Sequence, residues 1–181
     1  MHRYRDYLKL ENNNPEPVAT QTITKWQQFI EQGQLIGEHE ALEILADNGI
    51  ATNQSYCVDN LKNAIQSANK LGYPVVLKTA VSGISHKSEV HGVHLNLNSE
   101  DELRGAYEDL EKRLGPKVLI SPMIDNEGVE MILGMTTDPQ FGPMIALGFG
   151  GVYAEVLKDV VTLMPPFSAQ IAEQALSELK M

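Results

Sequence analysis

The sequence is poor in cysteine and in positive charge. Cys57 is the single cysteine among 181 residues, which excludes an intrachain disulfide. We interpret Cys57 as a small buried residue rather than a reactive thiol. Lys and Arg number 14 against 24 Asp and Glu, a formal net charge of −10. This charge argues against nucleic-acid binding, although a local cluster of lysines can still bind a nucleotide.

Long apolar runs are also missing. None approaches the roughly 18 residues of a membrane-spanning helix. The first residues, MHRYRDYLKLENNN, lack the apolar centre of a signal peptide. We therefore expect a cytoplasmic protein with no membrane partner. With 43% hydrophobic and 21% charged residues, the composition is typical of a globular chain with one core or two small subdomains.

The order of predicted elements favours an α+β fold in two lobes. Residues 1–35 are expected to form a linker or tether that contains a short helix over 22–32. Apolar spacing predicts further helices over 38–48 and 100–114. A third helix is expected to be capped by Asp59 and to end at Gly72, and a last helix is expected to be capped by Ser168. Strands are predicted near 55–58, 75–78, 92–97, 117–121, 128–135, 143–148 and 160–164. Helices dominate at first and strands later, without regular βαβ alternation.

One stretch, residues 72–97, has the pattern of an anion-binding element. The apolar run Val75-Val76-Leu77 ends in Lys78, and a loop of small and polar residues follows. The chain then alternates, with Val93, Leu95 and Leu97 expected on one face of a strand. Small residues let backbone N–H groups approach oxygen atoms, and ammonium groups neutralise charge, so the stretch suits a polyphosphate.

A second motif makes this pattern specific. Residues 141–159, FGPMIALGFGGVYAEVLKD, follow GYPVVLK and HKSEV in the order seen in one family. The pair resembles the ATP-grasp domain of the ADP-forming acyl-CoA synthetases, over about residues 36–181. The resemblance implies the ATP-grasp fold, with an N-terminal lobe at 36–119 and a C-terminal lobe at 120–181. The C-terminal lobe is expected to be incomplete, because the family's magnesium ligands would lie beyond residue 181.

The resemblance also implies roles for individual residues. His86 would carry a phosphoryl group, and Lys87 would offset the negative charge of that group. Lys78 would contact a nucleotide phosphate. The remaining nucleotide-binding residues that it implies are Ser82, Gly83, Ile120, Ser121, Met123, Glu130, Gly150, Gly151, Glu155 and Asp159. The residues alone leave blander interpretations open, in which Lys78 reaches solvent from a strand end and His86 is a solvated loop side chain.

The implied reaction is acyl-CoA + ADP + phosphate ⇌ carboxylic acid + CoA + ATP, with ATP or ADP and Mg²⁺ as cofactors. A CoA-binding region would lie in the same polypeptide or a partner subunit, and a homo-oligomer is possible. Leu163 and the following MPPF favour a fused, single-chain member. Two alternatives remain: a non-catalytic regulatory module of a protein lysine acetyltransferase, and an inactive fragment. Glu89 and His91 depart from the aspartate and glycine more common in the family.

Overall fold

The computed structural model describes residues 20–33, 36–84, 86–124, 128–151 and 159–180. The chain forms two compact units, a first unit over Val18–Asp125 and a second unit that contains Asn126–Met181. Most of the expected tether lies outside the described residues. Among the described helices, none has both the length and the apolar character needed to cross a membrane.

The first unit contains a four-stranded antiparallel sheet in the order β1-β4-β2-β3. Its strands are β1 (Tyr56–Val58), β2 (Val75–Thr79), β3 (Val93–Leu97) and β4 (Val118–Pro122). Its helices are α1 (Thr20–Glu31), α2 (Glu38–Asp47), α3 (Leu61–Leu71) and α4 (Glu100–Leu114). The expected lobe boundary at 119/120 falls inside β4, whereas the compact unit continues to Asp125. The assignment of these units to ATP-grasp lobes stays a prediction.

The core of the first unit lies between the sheet and the pair α3 and α4. The side chains of Leu77, Leu103, Leu110 and Ile120 are fully buried there. Burying each leucine contributes about 2 kcal/mol, so this cluster supplies much of the stability of the unit. Tyr107 is buried in the same cluster and donates its hydroxyl proton to the carbonyl of Pro116 over 3.0 Å.

Local capping begins the helices largely as expected. The hydroxyl oxygen of Ser99 accepts from the backbone N–H of Glu102 at 3.3 Å, and Ser168 caps the last helix in the same way. The prediction that Asp59 caps α3 is wrong. Asn60 is the cap, because its side-chain oxygen accepts from the backbone N–H of Asn63 at 2.9 Å.

The strict alternation expected in β3 is interrupted by a bulge. Asn96 has φ of 55°, and the register against β2 shifts between Val75 and Leu77. Strand β3 therefore contains one extra residue, and the side chains after the bulge lie on the opposite face from the one expected. As a result Leu97 is buried while Leu95 is 55% exposed. In α2 the helical spacing of Ala41, Leu42 and Leu45 predicts that all three face inward, but Leu45 is 40% exposed.

The second unit contains a three-stranded antiparallel sheet in the order β5-β6-β7. The strands are β5 (Met131–Asp138), β6 (Gly142–Phe149) and β7 (Val160–Leu163), and the helix α5 (Ala169–Glu178) follows. The side chain of Asp138 accepts from the backbone N–H groups of Gln140 and Phe141, which shapes the turn into β6. Two sheets with helices confirm the α+β prediction.

Candidate functional site

Two lysines of the first unit converge on one carboxylate. Lys78 is the fourth of the five residues of β2, and Lys87 lies in the turn that leads to β3. The Nζ of Lys78 donates to Oε1 of Glu38 at 2.6 Å, and the Nζ of Lys87 donates to Oε2 at 2.5 Å. All three side chains are half-buried. Lys78 therefore does not simply extend into solvent, and the structure brings together the two lysines that the sequence singled out.

Glu38 was not identified from the sequence. It occupies the first turn of α2, where acids are common because they complement the helix dipole. Burial acts to raise the pKa of this carboxyl. The hydrogen bonds from Lys78 and Lys87, together with their positive charges, outweigh burial and hold the pKa of Glu38 below its ordinary value. Glu38 is therefore a carboxylate at neutral pH.

The turn between Lys87 and Gly92 is closed by backbone hydrogen bonds. The N–H of Gly92 donates to the carbonyl of Lys87 at 2.7 Å, and the N–H of Thr79 donates to the carbonyl of Gly92 at 2.8 Å. A Cβ added at Gly92 would lie 2.7 Å from Cγ2 of Thr79 and 3.0 Å from the Lys87 carbonyl oxygen. Glycine at this position thus allows the turn to approach the end of β2.

Arg113 of α4 holds the same turn from the other side. Its guanidinium donates to the carbonyls of Val90 and His91 at 3.0 and 2.9 Å. It also binds the carboxylate of Asp109, which in turn contacts the ring of His94. The hydrogen bond from Arg113 lowers the pKa of Asp109 to about 2. Sequence reasoning missed Arg113, because no local pattern connects a helix arginine to a turn more than 20 residues earlier.

His86 lies at the start of this turn and faces water. Its side chain is 74% exposed, and its Nδ1 is 3.8 Å from Oε1 of Glu89. That distance exceeds a hydrogen bond, and the Glu89 side chain is itself 76% exposed. The imidazole is thus open to solvent next to Lys87, and its role as a phosphoryl carrier stays a prediction.

A groove of about 490 Å³ adjoins the lysine pair in the first unit. Among its lining residues are Glu38, Ser82, Gly83, Lys87, Lys117 and Leu119. Gly83 has φ of 88°, a left-handed conformation that glycine adopts without strain. Cys57 also lines the groove and is half-buried rather than buried as expected. Burial raises the pKa of its thiol, in keeping with an unreactive side chain.

The segment 120–123, whose backbone the family resemblance would place against the adenine of a nucleotide, lies at the end of β4. Ile120 is fully buried and pairs with Tyr56 on one side and Leu77 on the other. Ser121 is half-buried, and the N–H of Met123 donates to the carbonyl of Pro74 at 2.9 Å. Their contact with a nucleotide base stays a prediction.

The second unit brings Glu130 and two glycines together. The N–H of Gly150 donates to the carbonyl of Glu130 at 2.7 Å. A Cβ at Gly150 would lie 3.2 Å from Glu130, and one at Gly151, where φ is 55°, would collide with the Glu130 carboxylate. The glycines thus permit a close approach of this acid. Asp159 accepts from the backbone N–H of Lys180.

Glu155 lies outside the described residues. Among the residues that the structure describes, no group of three or more His, Cys, Asp or Glu side chains could hold a metal ion.

Comparison with known proteins decides the family. The ATP-grasp domain family matches residues 28–181. The chain belongs to this family. Among solved structures, dinucleotide-forming acetyl-coenzyme A synthetase 1 of Ca. Korarchaeum cryptofilum, in complex with coenzyme A, Ca-AMPCP and HgCl⁺, superimposes with a TM-score of 0.76. It is 33% identical, and the match covers 87% of this chain and 72% of that chain.

Curated relatives of this ATP-grasp chain are CoA ligases. It is 39% identical over 161 residues to ADP-forming acetate–CoA ligase I of Archaeoglobus fulgidus, covering 85% of this chain and 23% of the relative. It is 35% identical to the beta subunit of ADP-forming acetate–CoA ligase II of Pyrococcus furiosus, and the match covers 79% of this chain and 64% of that subunit. The chain thus spans less than a quarter of the A. fulgidus relative. These findings confirm the resemblance read from the two motifs, and they lend no support to the acetyltransferase-module interpretation.

Proposed function

We propose that this chain is the nucleotide-handling part of an ADP-forming acyl-CoA synthetase. The observation that carries the proposal is the pair of ammonium groups, Lys78 and Lys87, which meet beside a groove with a glycine and hydroxyl loop. Two ammonium groups at one point bind a polyphosphate well, since each makes a charge-assisted hydrogen bond. Solved relatives with nucleotide analogues bound make ATP or ADP the natural ligand.

In this proposal the chain binds and orients the nucleotide and transfers its terminal phosphoryl group. Lys78 and Lys87 hold phosphate oxygens, and the hydroxyl of Ser82 and the backbone at Gly83 supply further contacts. A neutral nitrogen of His86 attacks the terminal phosphorus of ATP, so an N–P bond forms while the P–O bond to ADP breaks. The reverse step returns the phosphoryl group to ADP. Magnesium would neutralise phosphate charge when bound, and its ligands would come from outside the described residues.

The acyl-CoA half of the reaction would belong to a CoA-binding region in the same polypeptide or in a partner subunit. Both arrangements occur among the relatives, which include long single chains and separate beta subunits. A cytoplasmic location fits the substrates of such a reaction.

Calorimetry with ADP, with and without Mg²⁺, tests the phosphate site. We expect Lys78→Met to weaken ADP binding about 10- to 100-fold, because a hydrogen bond to a charged group contributes about 1.5–3 kcal/mol. Lys62→Met removes an exposed lysine of α3 and serves as the charge control. Equal binding by wild type and Lys78→Met would show that the site lies elsewhere.

Labelling tests the phosphoryl carrier. With γ-labelled ATP, Mg²⁺ and the complete synthetase, we expect an acid-labile, base-stable label on the peptide containing His86. His86→Asn should lose that label and retain ADP binding. His91→Asn is the matched control, since it lies in the same turn and asparagine tolerates its φ of 50°. Label retained in His86→Asn would assign the carrier role to another residue.

A further inference from the structure

The carboxylate of Glu38 stands where a phosphate would bind. Each of its oxygens accepts from one lysine, Oε1 from Lys78 at 2.6 Å and Oε2 from Lys87 at 2.5 Å. Two oxygens of one phosphate would bridge the ammonium groups in a similar way. Glu38 also lines the groove beside Ser82 and Gly83, so it faces the space that a phosphate would enter.

A phosphate and the Glu38 carboxylate compete for the same two cations. A phosphate beside the intact bridge would place like charges in contact, where Glu38, Lys78 and Lys87 are each only partly exposed to water. Glu38 is attached to a helix that can yield, because α2, which is described over its whole length, buries none of its residues. Movement of the Glu38 side chain together with the first turns of α2 would therefore free both lysines.

Resting on the proposed function, we propose that Glu38 is an internal competitor of the nucleotide phosphates. In the empty site it neutralises and holds the lysine pair. Phosphate binding displaces it into solvent and loosens the first turns of α2. Glu38 thereby lowers the affinity of the site for phosphates. It does so more for a monophosphate than for a diphosphate, because the larger charge of a diphosphate competes better for the two lysines.

Substitution of Glu38 tests the proposal, because a competitor and a positioning residue predict opposite changes in phosphate affinity. We expect Glu38→Gln to bind pyrophosphate and ADP about tenfold more tightly than wild type in calorimetry, because the neutral amide is a weaker rival for the ammonium groups. The gain should be larger for inorganic phosphate, because removal of the Glu38 charge removes the selection against a single phosphate. Glu43→Gln makes the same charge change on the same helix, away from the lysines, and should leave the dissociation constants unchanged.

The opposite outcomes are informative. A residue that merely positions the lysines predicts weaker binding in Glu38→Gln, and weaker or unchanged binding overturns the proposal. An equal gain in affinity in Glu43→Gln would show that the effect comes from the overall charge of the helix and not from the contact with the lysines. That result would also overturn the proposal. If pyrophosphate binding does not depend on Lys78, the proposed function itself fails, which is distinguishable from a failure confined to Glu38.

A measurement on the wild-type chain keeps the proposal falsifiable if Glu38→Gln does not fold. Hydrogen exchange of the backbone amides of residues 41–45 is followed with and without saturating pyrophosphate. Displacement of Glu38 predicts faster exchange there on binding, whereas ligands ordinarily slow exchange near their site. Slower or unchanged exchange in this part of α2 would overturn the proposal.

Discussion

Glu38 shows how a single charged side chain links stability to pH. Its folded pKa lies below the value of about 4.3 in an unfolded chain, so near pH 4 the unfolded state binds more protons. The contribution of Glu38 is therefore fully present above about pH 5 and is lost as the pH falls through the folded pKa.

We predict that Glu38→Gln lowers the free energy of unfolding at pH 7 by about 1 kcal/mol, a small value because water screens a partly exposed pair. The difference from wild type should shrink as the pH is lowered from 5 to 3. Urea denaturation at several pH values measures it, with Glu43→Gln as the control. A difference that stays constant with pH would contradict the role given to the lysine pair.

Gly92 is the residue at which the turn and strand β2 come closest. An added methyl group at this position has no space, given Cγ2 of Thr79 at 2.7 Å. We predict that Gly92→Ala lowers the free energy of unfolding by about 1–3 kcal/mol and weakens ADP binding, because it displaces Lys87.

Gly105→Ala is a matched control for this substitution in urea denaturation. Gly105 lies in α4, and an added Cβ there meets no atom within 4 Å. Alanine should stabilise that helix by about 0.5–1 kcal/mol. A similar stabilisation by Gly92→Ala would be inconsistent with the crowding described.

The turn that carries Lys87 is an element positioned by a neighbouring helix. Arg113 reaches two of its carbonyls, and a lysine could not make both contacts with one planar group. We predict that Arg113→Lys speeds hydrogen exchange of the turn amides about tenfold, consistent with the loss of about one hydrogen bond. Arg104→Lys, on the same helix, is the control, and equal exchange in both variants would argue against this role of Arg113.

Among the described strands, β5 is an edge strand with exposed apolar side chains. Leu133 is 69% exposed and Met135 is 73% exposed. Exposed apolar edges favour pairing with another chain, so we predict concentration-dependent self-association. Sedimentation should show less of it in the double variant Leu133→Thr and Met135→Thr, and no change in Thr136→Ser. A strictly monomeric wild type would rule out this interface.

At the scale of the whole molecule, the two units differ in how much core each contains. The large buried cluster lies entirely in the first unit, whereas Phe149 and Ala175 are the buried apolar residues of the described part of the second. We predict that a fragment of residues 18–125 unfolds cooperatively on its own. Thermal circular dichroism of the two separate fragments checks this, and a non-cooperative 18–125 fragment would contradict it.

The sequence by itself determined the family, most helices and strands, and the two lysines of the site, because these depend on local order and spacing. Apolar periodicity places α3 and α4 without knowledge of their neighbours. The contiguous motif around Lys78 predicts a phosphate-binding element in the same way. The capping of α3 and the bulge in β3 escaped this reasoning, since backbone geometry decides which of two adjacent polar residues caps and where a strand slips.

Only the tertiary structure decided the partners of these residues. Glu38 precedes Lys78 by 40 positions and Lys87 by 49, and their contact depends on where the first turn of α2 lies against the end of β2. Arg113 meets the turn only because α4 packs beside it. Ion pairs between distant segments leave no periodic trace in a sequence, because any acid or base of suitable length satisfies the local pattern equally well.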